Sequence, residues 1–94
     1  MSAYLITYNV KNNKNTFECL HKIVKEKFHG HWNCMEHIFI IISEDNSSQI
    51  RDYFSSCLND DDLLLVIKLA ANEDREADWY GLSQECEDWL NDNI

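Results

Sequence analysis

Two short runs limit what this chain can become: Ile38-Phe39-Ile40-Ile41-Ile42, and Leu63-Leu64-Leu65-Val66-Ile67 followed two residues later by Leu69. Both are rich in β-branched or leucine side chains and too short for buried helices, so both read as strands. In a strand, successive side chains point to opposite faces, and here both sets are apolar. Such strands belong inside a sheet covered on its two faces. Neither run approaches the ~20 apolar residues of a membrane-crossing helix, and no membrane partner is expected.

The remaining elements arrange themselves around these strands. Tyr4, Ile6, Tyr8 and Val10 alternate with Leu5, Thr7 and Asn9, the period-two pattern of a first strand. Asn15 or Thr16 opens a helix reaching about Phe28, with Phe17, Leu20, Ile23, Val24 and Phe28 as its apolar stripe and Gly30 just beyond its end. His31 to Met35 and Ile38 to Ser43 form either a tight hairpin about Glu36-His37 or one bent strand. Asn46-Ser-Ser-Gln49 has the spacing of a capping box and starts a helix bearing Ile50, Tyr53, Phe54, Cys57 and Leu58. The order is β-α-β-β-α-β, an α+β ferredoxin-like split βαβ core over 1–69. A C-terminal segment, 70–94, follows. It is acidic at first and ends in a short helix capped by Ser83, with Cys86, Trp89 and Leu90 on one face.

A four-stranded sheet is about 15–20 Å wide, and two helices of ~10 Å diameter cover one face only. The second face must meet the C-terminal segment, a second copy of the chain, or both. A face-to-face homodimer is the favoured expectation.

Charge is divided unevenly along the chain. Residues 1–43 hold five lysines against three acids, whereas residues 44–94 hold three basic residues against fourteen acids. The net charge of −9 is not that of a uniformly nucleic-acid-binding domain. Cys19, Cys34, Cys57 and Cys86 form no C-x-x-C pair, and the N-terminus has no basic region ahead of an apolar core. The expectation is a cytoplasmic protein with reduced, buried thiols and no disulfide framework.

The strand Tyr4-Leu-Ile-Thr-Tyr-Asn9 and the element order resemble the small CRISPR-associated adaptation subunit. The chain is more similar still to the short bacterial proteins labelled the SinR family, through Trp32-Asn-Cys34, Ile50-Arg51-Asp52, Trp79-Tyr80-Gly81 and Trp89-Leu90. This resemblance implies a prokaryotic or phage ferredoxin-like homodimer with facing sheets. In the CRISPR-associated family the first strand ends in an aspartate that holds a divalent metal for phosphodiester cleavage. Asn9 occupies the matching position, and an amide lacks the negative charge that a hard Mg²⁺ ion requires. Asn9 reads more simply as a strand-end residue bonding the next loop.

Other candidates come from charge and aromatic content. Lys11, Asn12, Lys14, Lys22 and Lys25 are candidate phosphate contacts, though a solvated helix face explains the lysines equally well. Asp60, Asp61 and Asp62, with Trp79, Tyr80 and Trp89, are candidate partner-binding residues. His29, His31, Cys34 and His37 have zinc-ligand chemistry, but an extended segment would point His31 and Cys34 to opposite faces. No metal or cofactor is therefore expected. The leading functional expectation is a non-catalytic homodimeric binding or regulatory module. The alternatives are a metal-dependent nuclease acting on DNA or RNA, and an acidic nucleic-acid mimic that occupies a basic nucleic-acid-binding protein.

Overall fold

The computed structural model describes residues 1–11, 13–28, 30–70 and 74–94. It is a small α+β fold with a four-stranded antiparallel sheet and three helices. The elements are β1 (Ser2–Asn9), α1 (Asn13–Lys27), β2 (Gly30–Met35), β3 (Ile38–Ser43), α2 (Ser47–Ser55), β4 (Leu63–Lys68) and α3 (Gln84–Asn93). The strand order is β2-β3-β1-β4, and every neighbouring pair is antiparallel. β1 and β2, joined through α1, thus run parallel with β3 between them. Of the two readings of residues 31–43, the hairpin is the one formed.

Local chemistry sets the boundaries. At the start of α2 the Gln49 N–H donates to Asn46 Oδ1 and the Asn46 N–H donates to Gln49 Oε1, both at 2.9 Å. These two bonds satisfy donors that a helix N-terminus otherwise leaves open. Ser83 does the same for α3, accepting from the Cys86 N–H at 3.3 Å. The β2–β3 turn has neither glycine nor asparagine, and His37 takes up positive φ (62°), a conformation that costs most side chains energy.

The two faces of the sheet are packed differently. Tyr4, Ile6, Tyr8, Phe39 and Ile41 meet Leu20, Val24 and Phe28 near α1 and Ile50 and Phe54 of α2, and all are buried. On the opposite face a smaller core joins Trp32, Ile40 and Leu90, with Ala3, Ile38, Leu69, Trp79, Leu82 and Trp89 packed around it. The Trp32 Nε1–H donates to the Cys86 carbonyl at 3.2 Å, tying β2 to α3. This second layer covers the β2–β3 side and stops short of β4. Leu63, Leu65 and Ile67 remain 65, 52 and 46% exposed.

The cysteines correct the sequence expectation. Cys19 of α1 is bonded to Cys57 beyond α2, and Cys34 of β2 is bonded to Cys86 of α3. None of the four is free. The pairs lie 38 and 52 residues apart in sequence, and tertiary packing rather than any local motif brings their Cα atoms to 5.7 and 6.3 Å, within the range a disulfide requires. Cys34 is exposed, so it is not one of the buried apolar thiols that its strand position implied. Among the described residues no helix is long and apolar enough to cross a membrane.

Candidate functional site

A concavity of the sheet lies at the end of β1. Thr7, Tyr8 and Asn9 line it with His37 from the β2–β3 turn and Leu63, Leu64 and Leu65 from β4, enclosing an open groove of about 510 Å³. Pairing places Asn9 opposite Leu63 and Thr7 opposite Leu65, and these residues sit at the end of the sheet where β4 begins. Asn9 itself is exposed. The lining residues supply apolar walls, a neutral amide, two hydroxyls and an imidazole, with no carboxylate among them.

Tyr8 and His37 connect this groove to a second hollow shared with Lys14, Phe17 and Glu36. Their rings meet edge-on, with centroids 5.3 Å apart, and the Tyr8 N–H donates to the His37 carbonyl at 3.3 Å. Burial pushes the Tyr8 hydroxyl above its ordinary pKa. His37 was absent from the candidates read from sequence except as a zinc ligand. Its signal was a two-residue turn without glycine, since backbone at positive φ concentrates at functional sites.

Asp62, which precedes the β4 residue paired with Asn9, is committed to structure. Asp62 Oδ1 accepts from the Lys11 N–H at 3.1 Å and Asp62 Oδ2 from the Asn59 N–H at 2.9 Å. Asp61 lies 3.7 Å from the Lys11 ammonium, and both of these side chains are well exposed. The acidic turn before β4 thus offsets the charge of the first candidate phosphate contact.

The other lysines are not gathered with Lys11. Lys14 faces the Tyr8–His37 hollow, while Lys22 and Lys25 lie further along α1 with Glu18, His21 and Glu26. Asn12 lies outside the described residues. Eight residues of helix separate Lys14 from Lys22, about 12 Å along the axis. The acids Glu18 and Glu26 are interleaved with this second pair.

The candidate partner residues also separate. Asp60 and Asp61 are exposed, Trp79 and Trp89 are half-buried in the second core, and Tyr80 is 100% exposed beside Gly81 at φ 82°. Trp89 approaches Gly30, leaving only van der Waals room above that glycine. The buried residue of α3 is its neighbour, Leu90.

The histidine and cysteine motif does not assemble. His31 lies against His21 of α1, with ring centroids 6.0 Å apart, whereas Cys34 is bonded to Cys86 on the other face of the sheet. His37 belongs to the groove, and His29 lies outside the described residues. Burial lowers the pKa of His21, and the nearby Lys25 and His31 lower it further.

Comparison with known protein families, with curated proteins and with solved structures found no match.

Proposed function

We propose that this chain is a non-catalytic homodimeric binding or regulatory module on a ferredoxin-like scaffold of the CRISPR-adaptation type, with Asn9 at a degenerate metal position. The strand order read from the far edge, β4-β1-β3-β2, together with the split βαβ connection, supports the scaffold. The observation that carries the functional reading is the pairing of a carboxylate-free groove at Asn9 with the uncovered leucine stripe beside it. Neutral donors and apolar walls suit a macromolecular contact better than a hard cation, which prefers anionic oxygen ligands.

The tail reduces the area available for facing sheets, so the contact falls to the uncovered β4 side of the sheet. The two disulfides favour an oxidising compartment over the cytoplasm, because structural disulfides persist where thiols are not kept reduced. A second reading, an acidic surface for a basic partner, is favoured by the fully exposed Tyr80 next to Asp78 and Glu76. Loss of capture by a basic nucleic-acid-binding protein on Tyr80→Ala would select it.

The test combines mass and metal response. Light scattering at micromolar concentration is expected to give a dimer, and Mg²⁺ to leave the melting temperature unchanged. Asn9→Asp is expected to introduce metal-dependent stabilisation, since a ligand bound only by the folded state shifts unfolding. Metal-dependent cleavage of DNA or RNA by the unmodified protein, abolished in Asn9→Ala, would replace this reading with the nuclease one.

A further inference from the structure

β4 is the edge of the sheet, with β1 on its one strand-bearing side among the described residues. The Leu69 N–H donates to the Ala3 carbonyl at 2.9 Å, and the register of β1 and β4 places those two residues opposite each other. In an antiparallel ladder, directly opposed bonded pairs recur at every second residue. Leu63, Leu65 and Ile67 therefore turn their backbone groups toward β1, and Leu64, Val66 and Lys68 turn theirs outward. The Tyr8 N–H bond to His37 fixes the same alternation independently, since it assigns the even residues of β1 to β3. A narrow groove beside that edge runs between Ser47, Ser48 and Arg51 of α2 and Leu64, Leu65 and Val66. An apolar edge of this kind is a template for another strand.

We infer that the outer edge of β4 pairs antiparallel with β4 of a second copy, with Leu65 meeting itself on the two-fold axis, so that two four-stranded sheets join into one. This rests on the homodimer reading and names its interface.

The sequence of β4 is complementary to its own reverse. With Leu65 on the axis, Leu63 meets Ile67 and Leu64 meets Val66 of the other copy. Lys68 meets Asp62, beside Asp61. The apolar stripe is thereby doubled in width on one face, and each lysine at one end of the strand meets an acidic turn at the other. Such reciprocity is what a two-fold interface requires. The outward groups of Leu64 and Val66 supply the central bonded pairs, and Leu65 falls at a non-bonded position, where facing side chains come closest. An unrelated extended peptide would satisfy the backbone but has no reason to reproduce this charge order.

Single-cysteine substitutions under mild oxidation, analysed without reductant, read the register. Leu65→Cys is expected to form a covalent dimer by itself. Leu63→Cys and Ile67→Cys are each expected to stay uncrosslinked alone and to crosslink when mixed. Independently, Leu65→Lys is expected to abolish the dimer mass and to regain it when mixed with Leu65→Glu, both substitutions lying at an exposed position that leaves the fold intact. A dimer that persists in Leu65→Lys, or that crosslinks through other pairs, would overturn the edge pairing while leaving the homodimer standing. A monomeric unmodified protein would remove both.

Discussion

The two faces of one sheet are built to different standards. Toward α1 and α2, Ile6, Leu20, Val24, Phe39, Ile41, Ile50 and Phe54 are sealed from solvent. Toward α3, closure is achieved over β2 and β3 and then stops, leaving three large apolar residues of β4 in water. Two helices side by side can fill a face, whereas the single helix α3 over the β2–β3 side cannot. The first face therefore carries the stability of the fold, and the second carries both an anchored tail and an open surface. Each layer also has its own disulfide: Cys19–Cys57 within the helical layer, Cys34–Cys86 between sheet and tail.

The largest expected effect tests that inequality directly. Phe39→Ala should cost about 3–5 kcal/mol in urea unfolding, as aromatic truncations in closed cores do. Leu65→Ala, at a dilution where the chain is monomeric, should stay within about 0.5 kcal/mol. Equal losses would dissolve the distinction between the faces. Next comes the tail staple: replacing Cys34 and Cys86 by serine should cost about 2–4 kcal/mol by freeing the unfolded chain. If the tail is held chiefly by that bond, the variant should also lose protease resistance in residues 74–94 before the rest of the chain. Smaller is the pH response. His21 has a lowered folded pKa, so stability is complete above its ordinary value of 6.5 and declines as pH falls through that value toward the folded one. The slope of melting temperature between about pH 7 and 5 should flatten in His21→Gln. An unchanged slope would place the titration elsewhere.

Local signals in the sequence translated well into elements. The Asn46–Gln49 spacing became a two-bond cap, Ser83 became the cap of α3, and the alternation of residues 4 to 8 became the buried side of β1. Gly30, read as following a helix, also opens β2. What the sequence withheld was long-range. The four cysteines carry no spacing motif because their partners are created by packing of separate layers, so free thiols were the natural expectation. Periodicity also indicates that a residue is apolar on one side without saying what covers that side. Leu63, Leu65 and Ile67 looked as buried as Ile38, Ile40 and Ile42 for this reason. Within the candidate site, Asn9 was legible from its place at a strand end. His37 entered only through the geometry of its turn. Asp62 resembled a surface acid until its two oxygens were seen accepting main-chain donors.

The order of the bonded cysteines along the chain has a consequence for proteolysis. Cys34 lies inside the segment bounded by Cys19 and Cys57, and Cys86 lies outside it. The two covalent loops therefore interlock in sequence, and every peptide bond between residues 19 and 86 is spanned by at least one bridge. A single cut anywhere in that interval leaves the fragments joined, and the nicked molecule keeps its mass until a thiol is added. Only the ends, ahead of Cys19 or beyond Cys86, can be lost by one cleavage. A chain of this connectivity can be opened in a loop, on either side of the sheet, without parting company with the pieces that hold it shut.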